Sequence, residues 1–350
     1  MDTVLKSKFC LWGRWRSVLY IGILVFSCVH TANSKIKSSE PDAEGQMKAE
    51  YKTLWQWGES LEKPNIFREP HSIHVDKDGN LLIADMDASR VMRFTPKGKY
   101  LSDIGKGPGN EEGYFNKPRD VSMDSQSNII VTDQKSGKHR VQVFDSKGNF
   151  VRSFADEGSG PGQINWPHGL AIDSKDRVLV TDVANNRVNL YNRSGEYVKA
   201  LGQKSPNADK LTTPHGLAID QNDGVFISDY HGTVQKFTIE GNYLFSFKPQ
   251  VHTEGTSFIH AICSDKNGNV YLMVRSIKGF GGTFEESKVE DRAFCIAKFN
   301  NSGEYVCTIR LSDKKREIIN AAVDSQGKIY AIFKGDGRMG IEVLAENKFE

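Results

Sequence analysis

The chain has 350 residues, of which 38% are hydrophobic and 26% are charged, a composition typical of a globular protein. Its 46 basic and 44 acidic residues leave a formal net charge of +2, which gives no electrostatic reason to expect a nucleic-acid partner. The length alone allows one large domain or two ordinary ones.

The first 34 residues differ from the rest of the chain and predict export. Basic residues between Lys6 and Arg16 precede an apolar run from Val18 to Val29, which is shorter than the roughly 20 residues that span a bilayer. Residues 32–34 (ANS) supply the small side chains of a signal-peptidase site. Residues 25–28 (VFSC) are instead similar to a bacterial lipobox, in which Cys28 would carry a lipid. Both interpretations predict an exported protein, secreted or periplasmic, and only the second gives it a contact with a membrane, through the lipid on Cys28. An uncleaved N-terminal anchor is the third alternative.

Residues 35–50 are polar and lack apolar periodicity, so we expect them to form a flexible linker. From residue 51 onward, short runs of alternating apolar residues lie between turns rich in Asp, Asn and Gly. This pattern predicts β-strands and hairpins, and no segment of 51–350 has a sustained helical period. We therefore predict one all-β domain over residues 51–350.

Six tandem repeats follow one another in this domain. The clearest copies contain PHGLAID (residues 167–173) and PHGLAID again (residues 214–220). The residues after the Pro-like position of each copy are 71, 119, 168, 215, 260 and 320, so the steps are 48, 49, 47, 45 and 60 residues. Periods of this size indicate a propeller or a solenoid.

The number of strands favours a closed ring. Each of the first five copies has room for four short strands, here named a to d, but only three fit after residue 319. Residues 51–57 (YKTLWQW) resemble a strand d such as residues 149–154 (NFVRSF). We predict a six-bladed β-propeller of four-stranded antiparallel blades, closed by the N-terminal strand completing the last blade. Closure removes free sheet edges, and we expect a monomer.

Two groups of side chains have structural interpretations. An aspartate ends strand b in the first three copies and an arginine follows it, which predicts the ion pairs Asp85–Arg90, Asp133–Arg140 and Asp182–Arg187 across the b–c turns. The domain has an odd number of cysteines, which excludes a closed disulfide framework. We interpret Cys263, Cys295 and Cys307 as small buried hydrophobic side chains, with a Cys295–Cys307 pair as the alternative.

Residues 167–173 (PHGLAID) and 182–188 (DVANNRV) resemble NHL repeats, and the resemblance extends over essentially all of residues 51–350. It implies the propeller architecture. It leaves the function open, because NHL propellers serve as scaffolds, as protein or RNA binders and as enzymes.

A narrower resemblance is to the lyase domain of peptidylglycine α-amidating enzymes. That family binds zinc through histidines of Pro-His motifs in three alternate blades, which implies a zinc site at His71, His168 and His260. Three histidines with an open fourth position form a catalytic type of zinc site. Residues 327–337 (GKIYAIFKGDG) are similar to the segment with the family's catalytic arginine, and they place Lys334 near its position.

The chain departs from that family at several positions. Lysine lacks the planar fork of arginine, and residues 134–136 (QKS) contain no counterpart of the family's catalytic tyrosine. Ala261 stands where the family has an aspartate that helps to place calcium, so a calcium ion is doubtful. These departures make the lyase chemistry the alternative hypothesis, with zinc polarising the substrate and Lys334 binding its anionic end.

His215 and Arg119 occupy the same repeat position as the three histidines. His215 shows that the motif carries histidine without needing a three-fold pattern, so each histidine can also simply fill its strand. We predict that His215 contacts a ligand and that Arg119 supplies a cation for an anionic ligand, or else pairs with a carboxylate such as Asp120. The leading hypothesis is an exported propeller that binds a ligand or protein partner at its channel face. The irregular residues 277–291 (IKGFGGTFEESKVED) are a candidate lid.

Overall fold

A computed structural model describes residues 36–39, 50–58, 66–134, 137–202, 211–249, 256–277, 292–335 and 337–347. Within these ranges the protein consists of six antiparallel sheets of four strands each, one of which gains a fifth strand. A single 3-10 turn at Val183–Asn185 is the only helical segment in the part that is described, and no described helix could span a membrane. The predicted all-β class is confirmed. The predicted export segment and lid lie outside the described residues, apart from Ile277.

Two strands precede the first complete blade, β1 (Ile36–Ser39) and β2 (Tyr51–Trp57). Blade one consists of β3 (Pro70–Val75), β4 (Leu81–Asp85), β5 (Arg90–Phe94) and β6 (Tyr100–Ile104). Blade two consists of β7 (Pro118–Met123), β8 (Ile129–Asp133), β9 (Arg140–Phe144) and β10 (Phe150–Phe154). Blade three consists of β11 (Pro167–Ile172), β12 (Val178–Asp182), β13 (Arg187–Tyr191) and β14 (Tyr197–Leu201).

Blade four consists of β15 (Pro214–Ile219), β16 (Val225–Asp229), β17 (Val234–Phe237) and β18 (Tyr243–Pro249). Blade five consists of β19 (Thr256–Ser264), β20 (Val270–Ile277), β21 (Arg292–Phe299) and β22 (Tyr305–Ile309). Blade six contains β23 (Glu317–Val323), β24 (Ile329–Gly335) and β25 (Arg338–Glu346), and β2 is its fourth strand.

The N-terminal strand closes the ring as predicted. β2 pairs antiparallel with β25, with Thr53 opposite Leu344 and Trp57 opposite Ile341. The Trp57 ring lies 5.0 Å from the Phe94 ring of blade one, centroid to centroid. The same strand thus completes blade six by hydrogen bonds and joins it to blade one by packing.

β1 is an addition to the predicted strands. It pairs parallel with β18, with Ile36 opposite Ser246, and becomes the fifth strand of blade four. Residues 35–50 read as a polar linker because four residues are too few to show strand periodicity. The outer edge of a blade offers unpaired backbone groups, which such a short segment can satisfy.

The hydrophobic core is divided among the six contacts between neighbouring blades. One cluster, for example, joins Ile83 and Phe94 of blade one to Ile332 and Val343 of blade six. Strands b are buried on both faces, so the first three residues of β4, β8, β12 and β16 are all apolar and every residue of these strands is buried. This arrangement explains why the repeats cannot fold singly, since each blade buries its faces only against its neighbours.

Two of the three predicted Asp–Arg pairs are confirmed. Arg140 contacts Asp133 at 3.0 Å and Arg187 contacts Asp182 at 2.7 Å, and all four side chains are buried. The predicted pair in blade one is wrong. The Asp85 carboxylate accepts backbone N–H groups of Arg68, Glu69 and Ala88, and the Arg90 guanidinium donates to the carbonyl of Ile66.

The three cysteines of the domain are free thiols, as interpreted from the sequence. Cys295 packs between blades four and five, whereas Cys307 packs between blades five and six, so the two thiols lie on opposite faces of one blade. Burial raises the pKa of Cys295 to about 12 and that of Cys307 to about 11. Both thiols are therefore protonated and poorly reactive at neutral pH.

Candidate functional site at the channel mouth

A β-bulge near the start of each strand a aims one side chain at the channel. In β3, for example, Pro70 lies opposite Asp85 and Ser72 lies opposite Ala84, so the intervening His71 has no partner of its own. Such bulges re-aim side chains at the ends of strands. The same irregularity follows the Pro-like residue in all six strands a.

The register corrects one sequence assignment. In blade six the bulge lies between Ile318 and Asn320, and Asn320 is opposite Ile332. The residue that corresponds to the histidines is therefore Ile319, which is buried. Asn320 corresponds instead to Ser72 and Asp120, one position further along the strand. The loose sixth copy lacks the Pro-His pair that marks the bulge residue in blades one, three and four, so the position of the bulge could not be found from its sequence.

Five polar side chains meet at this position, and we name them the channel-mouth cluster: His71, Arg119, His168, His215 and His260. The rings of His71 and His168 have centroids 4.8 Å apart, and those of His71 and His260 are 5.6 Å apart. The His215 ring lies 3.5 Å from that of His168, tilted by 36°, and 5.8 Å from that of His260. The structure thus brings together all the predicted metal and ligand residues, but not the predicted catalytic residue Lys334.

Arg119 makes hydrogen bonds both within the cluster and to a residue outside it. Its Nη1 lies 2.9 Å from Nε2 of His71, and its Nε donates to Oε1 of Gln134 at 2.8 Å. The alternative pairing with Asp120 is not observed, since that carboxylate accepts the N–H groups of Val121 and Leu170. Among the described residues, no carboxylate lies within salt-bridge distance of Arg119 and its Nη2 has no hydrogen-bond partner.

The four histidines of the cluster are neutral bases, and hydrogen bonds define the tautomers of His71 and His215. Burial and then the Arg119 charge hold the pKa of His71 well below its usual value, and burial lowers that of His215 to about 4. Burial likewise lowers the pKa values of His168 and His260. Nδ1 of His71 donates to the Arg119 carbonyl at 3.0 Å, and Nδ1 of His215 donates to the His260 carbonyl at 3.0 Å. Each Nε2 is then an acceptor.

The glycine of the Pro-His-Gly motif allows neighbouring strands a to approach closely beneath the cluster. A Cβ atom at Gly169 would lie 2.8 Å from the carbonyl oxygen of His215, which is backbone and cannot turn away. At Gly216 a Cβ would lie 2.6 Å from the Ile262 side chain. The motif therefore combines a histidine that faces the channel with a glycine that allows the close strand packing on which the position of the histidine depends.

The cluster has some features of a zinc site and lacks others. Two imidazoles on one tetrahedral zinc, with Zn–N distances of ~2.0 Å, have centroids about 5 Å apart, close to the spacings of His71 from His168 and His260. Ligand histidines also donate their second ring nitrogen to a carbonyl, as His71 does here. However, Nε2 of His71 contacts the Arg119 guanidinium. No group of three or more His, Cys, Asp or Glu side chains in the described part of the chain is arranged to hold a metal ion. As placed, these side chains do not fit zinc, and the zinc assignment stays a prediction.

Lys334 lies apart from the cluster. It is near the end of β24, its Nζ contacts Oε2 of Glu69 at 3.0 Å, and it is not among the side chains that line the small cavity beside the histidines. That cavity is about 20 Å³ in volume, which is room for one water molecule. The Lys334 charge is thus matched by a carboxylate, and its predicted catalytic role stays a prediction.

Sequence reasoning overlooked Asp120 as a channel residue. Its carboxyl lines both the small cavity and a larger one of about 230 Å³ that continues along the strands a. Burial raises its pKa to about 7. The sequence did contain a signal for this role, because blade two alone has an acidic residue at the position where blades three and four have glycine.

Comparisons with known proteins agree with this architecture. A family model described as a 6-bladed beta-propeller matches residues 115–199. The chain is 30% identical to the rat peptidylglycine alpha-amidating monooxygenase over 132 residues, which are 35% of this chain and 14% of that protein. It is also 30% identical over 128 residues to a probable peptidyl-alpha-hydroxyglycine alpha-amidating lyase of Caenorhabditis elegans, covering 35% of this chain and 36% of that protein. NHL-type proteins are further relatives.

The chain matches much less than two thirds of these curated relatives. Among solved structures, a catalytically inactive virginiamycin B lyase variant from Staphylococcus aureus, crystallised with quinupristin, superposes with a TM-score of 0.56 at 13% identity. That match covers 85% of this chain and 100% of the other, and it shows the fold alone. The protein is a six-bladed propeller related to NHL proteins and to amidating enzymes.

Proposed function

We propose that this protein is an exported propeller that binds a carboxylate-bearing ligand, such as the C-terminus of a peptide, at its channel mouth. The observation that carries the proposal is the Arg119 guanidinium, half-buried and fixed by His71 and Gln134, whose Nη2 lacks a partner among the described residues. A guanidinium so held is oriented before a ligand arrives, and carboxylate is the group that its fork matches best.

The surroundings favour an anion over a cation. The four histidines of the cluster are neutral at pH 7 and do not compete for the guanidinium as carboxylates would. Arg275 adds a second positive charge near His260, although it also contacts Glu317. Similarity to proteins named as acting on peptidyl groups supports a peptide as the ligand.

The test is a calorimetric titration of N-acetylglycylglycine and of its amide into the purified protein. The carboxylate should bind and the amide should bind at least tenfold more weakly, since a hydrogen bond to a charged group contributes about 1.5–3 kcal/mol. Arg119→Met should abolish the preference. Arg93→Met is the matched control. This arginine belongs to blade one and donates to the Ser146 carbonyl of blade two in an exposed contact. Equal binding of acid and amide would contradict the proposal.

The second candidate is a zinc-dependent lyase acting on peptides that end in α-hydroxyglycine. It is favoured by the tautomer of His71, whose Nδ1 donates to a carbonyl as in ligand histidines, and by similarity to the C. elegans protein. Its test is the zinc content of the wild type beside a variant in which His71, His168 and His260 are alanine. About one zinc per chain, lost in the variant, would support it, and a metal-free wild type after incubation with zinc would exclude it.

A further inference from the structure

The residue that precedes the Pro-like position defines the rim of the channel mouth. It is Glu69, Lys117, Trp166, Thr213, Phe258 and Glu317 in blades one to six. In blades one to four its carbonyl accepts an N–H from the residue that follows strand b, at Met86, Gln134, Val183 and Tyr230. The rim position is therefore structurally equivalent from blade to blade, and its side chains can be compared directly.

In one half of the rim, formed by blades six, one and two, each rim side chain is in an ion pair. In blade six Glu317 contacts Arg275 at 2.5 Å, and in blade one Glu69 contacts Lys334 at 3.0 Å. In blade two Lys117 lies 3.9 Å from Asp87. These three blades are consecutive in the ring, and Arg119 lies among them in blade two.

The other half has aromatic side chains at two of its three rim positions and Thr213 at the third. Blades three and five have Trp166 and Phe258 at the rim position, and Tyr230 of blade four packs between His215 at 5.6 Å and Phe258 at 5.5 Å. Phe258 is buried by this packing, so its face is already covered. Trp166 is the aromatic residue of this half that remains open.

Trp166 combines exposure with an unusual backbone. Its side chain is 58% exposed, the largest value among the large hydrophobic residues of the described chain. Its φ of 57° lies in the left-handed region, as does the φ of 48° of Thr213 at the equivalent position of blade four, and bulky side chains rarely adopt this region. No ring or hydrogen-bond partner for its indole occurs among the described residues, whereas Trp55 donates to Pro96 and Trp57 packs on Phe94. Strained conformations of this kind are concentrated at ligand sites.

We infer that the ligand bound through Arg119 carries a bulky aromatic or apolar group beside its carboxylate, and that Trp166 is the surface on which this group packs. The inference rests on the proposed function and specifies its ligand class. Trp166 is two residues before His168, so the aromatic surface and the channel-mouth cluster belong to the same strand end. A peptide with an aromatic residue before its C-terminal residue carries an aromatic group and a carboxylate on neighbouring residues.

The experiment compares N-acetylphenylalanylglycine with N-acetylglycylglycine, which share the carboxylate and differ in the aromatic group. The wild type should bind the first about five- to tenfold more tightly, the range that an aromatic contact supports. Trp166→Ala should remove this preference while leaving the affinity for N-acetylglycylglycine unchanged, and Trp166→Phe should retain most of it. Val151→Ala is the control, since Val151 is 49% exposed on the outer strand of blade two.

A second variant separates ligand binding from folding. Trp166→Gly removes the indole and permits the positive φ, so it should keep or raise the Tm while losing the preference. If either variant lost affinity for both peptides to the same extent, the inference would be overturned. A wild type that binds both peptides equally would also overturn it, but the carboxylate site would still stand in that case. A wild type that binds neither peptide would overturn both the inference and the proposed function.

Discussion

The buried pair of Arg187 and Asp182 should contribute strongly to stability, and replacing the arginine by methionine tests this. Arg187 Nε lies 2.7 Å from Asp182, and its Nη2 donates to the carbonyls of Gly160 and Gln163, both at 2.8 Å. The two side chains are 7% and 0% exposed. Removing one member of a buried pair leaves an unpaired charge and costs about 3–5 kcal/mol.

The matched control is Arg90→Met, at the equivalent position of blade one, where the arginine contacts a carbonyl and not a carboxylate. This loss should cost about 1 kcal/mol. With an unfolding entropy of about 0.6 kcal/mol/K for some 300 residues, 4 kcal/mol corresponds to a fall in Tm of about 6 °C. Calorimetric melting of both variants measures the difference. Equal shifts in the two variants would refute the argument that the ion pair, and not the arginine side chain in general, stabilises the blade.

Three further predictions concern closure, charge and the glycine motif. Trp57→Ala should lower the free energy of unfolding by about 3 kcal/mol, because it removes the ring that joins blade six to Phe94; an unchanged urea midpoint would argue against closure by β2. Asp120 has a raised pKa of about 7, so ionising it destabilises the folded state as pH rises from about 4 to 7. Asp120→Asn should therefore raise the Tm at pH 8 more than at pH 5, and equal shifts would count against that pKa. Gly169→Ala should destabilise by at least 1 kcal/mol through contact with the His215 carbonyl, and an unchanged Tm would count against this close approach.

The repeat pattern was sufficient to predict the blades and the closing strand, because turn residues and apolar alternation are local signals. It also placed His71, His168 and His260 at one level, since a repeated position in the sequence is a repeated position in the ring. The bulge that puts Ile319 and not Asn320 in line with them depends on pairing register. Register is a tertiary property that a loose repeat copy does not reveal.

Other features depended on which partner was available in space. Arg119 carried no sign in its sequence that it would donate to His71, 48 residues away. Asp85 precedes an arginine at the same spacing as Asp182 does, but its carboxylate is occupied by backbone N–H groups. Which partner such a side chain contacts depends on distances in the folded chain, and spacing along the sequence does not determine these distances.

The most direct test of whether the channel mouth works through its guanidinium is a titration of N-acetylglycylglycine into the wild type, treated with EDTA and separately supplied with equimolar zinc. We expect the same affinity in both samples and loss of binding in Arg119→Met. Binding that disappears with EDTA and returns with zinc would contradict this account and would make the histidines a metal site.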